Sequence, residues 1–334
     1  MSYLRVETRE RACACEETVC RPTLPLTRLE GGWSSRGVLF EGSTFQLGYT
    51  RCRPHSDAVG PEKTSGANVL TFPRRGVFVM HMPEETFVAD ANIVIFQNAD
   101  DTFRTSHPGG HGDDTTWVSV KPALIKIAFG DVDHEPGINP LHPFPRSHGP
   151  CSPRAYLLQR MAFEHASRGI GADPIFVSEV VHELVQEAVE TSNMAVAGKH
   201  AVRMRDSTVK VHIETAEAVK TLLASRYADR LTLEEIAGHV HAAPCHLCRL
   251  FRRVVGLPIH RYLNRIRLRE AITRFADPSA NLAGVATDVG FASHSHFTDA
   301  FRREFGVAPS VVRQWMASED LTDMRRKLGV GKEN

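Results

Sequence analysis

The sequence predicts a chain of mixed α and β class: a small antiparallel β-barrel or jelly roll in the N-terminal half, helices in the middle, and an all-α C-terminal third built from two helix-turn-helix units. Three observations predict it. Short β-like runs punctuated by Gly and Pro occur before position 150, helical periodicity takes over after Pro153, and a segment near the C-terminus repeats itself fifty positions later.

The β-like runs are Val38–Phe40, Phe45–Tyr49, Val69–Phe72, Val77–Met80, Ile93–Phe96 and Trp117–Val120. Many short strands of this kind suit a small antiparallel barrel or jelly roll. After Pro153 one stripe is formed by Leu157, Leu158, Met161 and Ala162, and a second by Val177, Val180, Val181, Leu184 and Ala188. The second stripe is read as either a seal on the barrel or a two-fold seam, and a homodimer through this segment is the expectation. The domain boundaries that follow are a disordered tail at 1–35, the β domain at 36–150, the helical segment at 151–192, a linker at 193–208, the double helix-turn-helix domain at 209–316 and a tail at 317–334.

In the repeat, His246–Arg253 runs into Gly256 and Pro258, and His296–Arg303 runs into Gly306 and Pro309. Upstream, Leu233, Ile236, Ala237 and Val240 match Leu282, Val285, Ala286 and Val289. Each half is a short helix, a tight turn and a longer helix. Thr232 with Glu235 three residues on fits a capping box. Gly256 and Gly306 sit where a left-handed C-terminal cap is needed. Between the halves, Ile259, Tyr262, Leu263 and Ile266 form one apolar stripe, and Leu268, Ala271, Ile272 and Phe275 another on the nearly opposite face. A helix patterned this way packs against two neighbours and spaces the two units by about one DNA turn.

The chain carries +1 overall, but residues 209–316 hold 15 Lys and Arg against 10 Asp and Glu, so this region is at +5 and the remainder at −4. The asymmetry favours an anionic partner for one end. No apolar run approaches the ~20 residues a membrane span needs, and the charged start has no apolar signal core, so the cytoplasm is the expected location. Seven irregularly spaced cysteines suggest reduced thiols rather than a disulfide framework.

Over about Val209 to Trp315 the sequence closely resembles the AraC/XylS family. The stretch Val285–Pro309, ending at Arg313, carries most of the likeness, with Tyr262, Leu263, Arg267 and Ala271 falling where the family's linker helix has them. The resemblance implies a domain that reads double-stranded DNA with two recognition helices, joined to a cupin-like sensor for a small-molecule effector, and contact with RNA polymerase in an activator. The N-terminal likeness is looser and rests on Phe72–Phe78, Ala89–Asn92 and Ser106–Gly110. Base-reading candidates are Cys245, Cys248 and Arg249 in the first recognition helix, and His294, Ser295, Thr298 and Asp299 in the second. Arg249 leads them, because arginine reads guanine in a bidentate way. Asp299 departs from the donor that relatives often carry there. Arg252, Arg253, Arg302 and Arg303 are phosphate-contact candidates, and His246 is expected half-buried against the turn.

No catalytic group, cofactor or metal is expected. His107, His111, Asp113 and Asp114 cluster in a glycine-rich stretch, read as a loop at the barrel mouth rather than a metal site. Cys245-x-x-Cys248 is read as small residues facing a groove. The rival readings are a cupin-type metal-dependent enzyme, which needs a convergent ligand set, and a purely architectural DNA-binding protein.

Overall fold

A computed structural model describes residues 27–29, 32–129, 142–169, 172–197, 206–277, 280–318 and 322–330. Most of the tail expected at 1–35, with Cys13, Cys15 and Cys20, and the centre of the expected linker, 198–205, lie outside them.

Eleven strands are described: β1 (Thr27–Leu29), β2 (Gly32–Glu41), β3 (Phe45–Pro54), β4 (Lys63–Thr64), β5 (Asn68–Arg75), β6 (Phe78–His81), β7 (Thr86–Ala89), β8 (Ile93–Gln97), β9 (Thr102–Ser106), β10 (Asp113–Val120) and β11 (His148–Pro150). All six β-like runs of the sequence fall in strands, the Val77–Met80 run starting one residue late. The strands form two antiparallel sheets, ordered β1-β2-β3-β10-β5-β8-β11 and β4-β9-β6-β7, rather than one closed barrel. β7 escapes the sequence reading because its apolar run is only Phe87–Ala89, and β9 because Phe103 is its one apolar residue among Thr102, Arg104, Thr105 and Ser106.

Helix α1 (Pro122–Phe129) follows β10, and α2 (Pro153–Ala166) and α3 (Pro174–Ala197) follow β11. Ser152 caps α2 by accepting from Ala155 N, with Pro153 at the first helical position. The Val177, Val180, Val181, Leu184 and Ala188 stripe is at most 1% exposed and lies in the same apolar cluster as Phe45, Leu124 and Leu158. This corrects the expected dimer seam. Nearly all the area the stripe offers is already buried within one chain, against α1, α2 and β11, so it is core.

The C-terminal third holds α4 (Asp206–Ser225), α5 (Leu233–His239), α6 (Pro244–Val255), α7 (Ile259–Arg274), α8 (Leu282–Asp288), α9 (His294–Phe305) and α10 (Pro309–Ala317). Helix α11 (Thr322–Leu328) lies within the expected C-terminal tail and is tied back by Arg154, whose guanidinium donates to the Leu328 carbonyl, and by an Arg325–Glu179 ion pair of 2.9 Å.

The two stripes of α7 separate as their phases require. Ile259, Tyr262, Leu263 and Ile266 join Leu247, Phe251 and Val219 in one cluster, while Leu268, Ala271, Ile272 and Phe275 join Phe297, Phe301 and Trp315 in another. Each cluster also takes in the β domain: the first includes Val77 and Val88, and the second is continuous with the cluster that holds Phe45 and Leu158.

Candidate nucleic-acid interface

Each helix-turn-helix unit is built by local chemistry first. In the first, Thr232 accepts from Glu235 N and the Glu235 carboxylate accepts from Thr232 N, closing the capping box at the start of α5. In the second, Asn281 caps α8 by accepting from Ala283 N. The turns are equivalent: Ala242 N donates to the Ala237 carbonyl in one, and Phe291 N to the Ala286 carbonyl in the other, both at 2.9 Å. Both recognition helices end on a left-handed glycine, Gly256 at φ 83° and Gly306 at φ 72°.

Helix α6 buries Leu247, Leu250 and Phe251, which leaves Cys245, His246, Cys248, Arg249, Arg252 and Arg253 exposed. Among the described residues no protein partner holds Arg249 or Arg252. The α6 N-terminus has Pro244 at its first turn and no side-chain cap on Ala243, so its free amides add positive potential at the end that faces outward. His246 is exposed, not half-buried against the turn: it lies outside the buried stripe of Leu247, Leu250 and Phe251, and its ring lies 5.8 Å from that of His212 on α4.

Helix α9 buries Phe297, Ala300, Phe301 and Phe305. His294, Ser295, Asp299, Arg302 and Arg303 are exposed, as is His296, which the sequence reading passed over. Thr298 is half-buried and its Oγ1 is covered without a hydrogen-bond partner, so of the four candidates in this helix it presents least to the outside. Its position three residues before Phe301 and seven before Phe305 sets it at the edge of the buried stripe. Arg303 Nε donates to the Asp299 carbonyl at 3.2 Å, which spends part of that guanidinium on its own helix.

Helix α7 fixes the spacing of the two readers. Its 16 residues span about 24 Å at the α-helical rise. Arg267 donates to the carbonyls of Tyr227 and Asp229, tying α7 to the turn that follows α4. The β domain grips the same rod through buried polar groups. The Tyr262 hydroxyl donates to Asp90 Oδ2 at 2.7 Å, Asn92 Nδ2 donates to the Tyr262 carbonyl, and Arg269 reaches the carbonyls of Ala91 and Cys151 and the side chain of Asn92. Burial raises the Asp90 carboxyl above its ordinary range, against the pull of Lys220, Tyr262 and Arg269. On α4, Lys220 donates to the Val88 carbonyl and the Glu217 carboxylate accepts from Val88 N. Asp90, Asn92, Tyr262 and Arg269 were not singled out from the sequence as a contact. Three of them stand in the quoted family segments, but only the fold brings them together.

His107, His111, Asp113 and Asp114 do not share a loop. Asp113 and Asp114 begin β10, His107 is buried at the end of β9, and His111 is exposed in the turn between. Among the described residues, one group of His, Cys and acidic side chains converges closely enough to hold an ion: Cys52, His107 and Asp113. Cys245 and Cys248 stand outside it.

Residues 236–314 match the model of a helix-turn-helix domain. The chain is similar to the regulatory protein PocR of Salmonella typhimurium, 31% identical over 87 residues, which are 26% of this chain and 29% of that protein. It is also similar to the HTH-type transcriptional activator RhaS of Escherichia coli, 28% identical over 148 residues, 41% of this chain and 53% of that protein. These matches span about half or less of the relatives' own length. A crystal structure of ToxT from Vibrio cholerae aligns over 82% of this chain and 98% of its own at 13% identity, with a TM-score of 0.35, a likeness too slight to carry any argument about detail.

Proposed function

We infer that this chain, whose C-terminal third belongs to the AraC/XylS family of double helix-turn-helix domains, is a sequence-specific DNA-binding regulator of transcription. The observation that carries the reading is the pair of capped, repeated units on one rod helix, each with a polar and basic face left exposed. Arg249 is the leading base reader. Cys245, Cys248, His294, Ser295 and Asp299 flank the readers' exposed faces, and Arg252, Arg253, Arg302 and Arg303 contact phosphates.

The β domain is the sensor in this reading. Its hold on α7 through Asp90, Asn92 and Arg269 supplies a physical route for coupling, because the helix that spaces the readers is also the helix the sensor grips. A groove of about 450 Å³ between Arg75 of the sensor and Glu270, Thr273, Arg274 and Asp288 of the reader touches both domains, and a small polar effector bound there would bias their docking. Self-association of the chain has to use a face other than the buried α3 stripe, and an activating role would add contact with RNA polymerase.

The test is selection of bound sites from random duplex DNA by the full chain, with affinity measured across a salt series. A two-part motif whose halves lie about one helical turn apart, bound with a steep negative salt slope, is the expected result. Recovery of no motif, or binding indifferent to salt, overturns it.

A further inference from the structure

Antiparallel pairing of β3 with β10 sets Cys52 directly opposite Asp113. Cross-strand partners share one face of a sheet with Cβ atoms about 4.5–5.5 Å apart, so thiol and carboxylate are neighbours by register. The third group arrives by a tight reversal. β9 ends at Ser106, and Pro108–Gly110 folds the chain back with Gly109 at φ 71° and Gly110 at φ 67°, two positions where a side chain would strain the backbone. Gly110 N closes the turn on the His107 carbonyl. His107 Nε2 then lies 2.6 Å from Asp113 Oδ1. Gly112 is needed for the close approach, since a Cβ there would stand 2.2 Å from the Cys52 carbonyl oxygen.

We propose that Cys52, His107 and Asp113 form a binding site for a borderline-soft divalent cation of the zinc type. One ligand atom from each residue lies within 4.8 Å of the other two. A tetrahedral ion with ligand bonds of about 2.0–2.3 Å holds its ligand atoms roughly 3.3–3.8 Å apart. Closing on an ion therefore asks for small rotations, with the His107–Asp113 contact opening by about 1 Å. The donor set selects the metal class. One thiolate, one imidazole and one carboxylate suit zinc and its neighbours, whereas calcium and magnesium want oxygen alone.

The surroundings fit the same assignment. His107 and Asp113 are 7% and 5% exposed, while Cys52 is half-buried and leaves an entry path. The neighbouring Asp114 is kept out of the cluster, its Oδ1 accepting from Arg51 at 3.2 Å and Arg53 at 3.1 Å. Three protein ligands leave a fourth position for water or a small anionic molecule. A divalent ion would satisfy the buried Asp113 carboxylate in place of its contact with His107. The sequence reading found no metal site because it took the histidine and aspartates as one loop. It had no way to place Cys52, some fifty-five residues upstream of His107, opposite Asp113.

The test is titration of the reduced, chelator-stripped full chain with Co²⁺, followed by displacement with Zn²⁺. The expected result is one Co²⁺ per chain with a thiolate-to-cobalt charge-transfer band, bleached by Zn²⁺. The band should persist in Cys245→Ser/Cys248→Ser and in Cys13→Ser/Cys15→Ser/Cys20→Ser, vanish in Cys52→Ser, and weaken by more than about tenfold in affinity in His107→Gln. Circular dichroism of each variant establishes that it is folded. Zn²⁺ should also raise the melting temperature of the wild type, leave that of Cys52→Ser unchanged and shift that of His107→Gln less than the wild type, a readout that stands even where the band is weak. Absence of the band in the wild type, its survival in Cys52→Ser, or its loss with Cys245 and Cys248 would overturn the assignment.

Discussion

In the first helix-turn-helix unit the turn residue with positive φ is His241, at 50°; in the second it is Gly290, at 91°. The two positions are equivalent in the repeat, and both backbones must reverse between a short helix and a recognition helix. The second cannot carry a side chain, because a Cβ on Gly290 would stand 2.7 Å from the Ala228 carbonyl oxygen and 3.0 Å from the Arg267 guanidinium. The first turn is open on that side, so His241 is tolerated at the cost of a left-handed non-glycine residue. The recognition helices differ in the same direction. Among the described residues α6 presents Arg249 and Arg252 without protein partners, while α9 presents Asp299, covers Thr298 Oγ1 and turns Arg303 back on its own backbone. The second unit is also fused to the large cluster that contains the sensor core, and Arg168 of the sensor side donates to the Met316 and Ser318 carbonyls. The contrast teaches that a duplicated fold divides its work: the first unit is the more open reader, and the second is the more firmly anchored.

The largest effect should come from Gly290→Ala. Left-handed strain and the clash with Ala228 together should cost about 2–4 kcal/mol in chemical denaturation. An equally stable variant would mean that the second turn is as open as the first. Next, Arg249→Ala should weaken binding to the selected site by about 1–3 kcal/mol and relax base preference at one position, while Arg302→Ala should weaken all sequences alike. If the two variants behave the same way, the units do not divide reading from positioning.

Third comes pH. Glu270 lies on the second unit's side of the rod, and burial pushes it up to about 6 against the pull of Arg75 and the Gly76 amide. A carboxyl raised above its unfolded value favours folding in its protonated form. Its contribution is thus fully present below about 4.5 and is lost as pH rises through about 6. Glu270→Gln should flatten stability across that window and raise it by about 1–2 kcal/mol at pH 7.5. An unchanged pH profile would place the titration elsewhere. The smallest effect is a gain: His241→Gly should stabilise the first unit by about 0.5–1 kcal/mol, the relief of strain exceeding the added chain entropy. A loss would show that the His241 side chain earns its place by a contact.

What the amino-acid sequence determined alone was whatever depends on near neighbours. Apolar spacing placed α6 at Pro244–Val255, the Thr232–Glu235 pair marked the start of α5, and glycine with a following proline marked the ends of both readers. The opposed stripes of α7 even announced that it would have two neighbours, because a helix's faces are fixed by a period of 3.6 residues. What only the tertiary structure decided was the identity of those neighbours. A buried stripe such as Val177–Ala188 reads the same whether it meets a sheet of its own chain or a second copy, since apolar burial carries no address. The Tyr262–Asp90 hydrogen bond joins residues 172 positions apart, and Cys52 meets Asp113 only through the register of β3 on β10. Register and docking are set by the summed fit of many distant side chains, and no local pattern in the sequence encodes that sum.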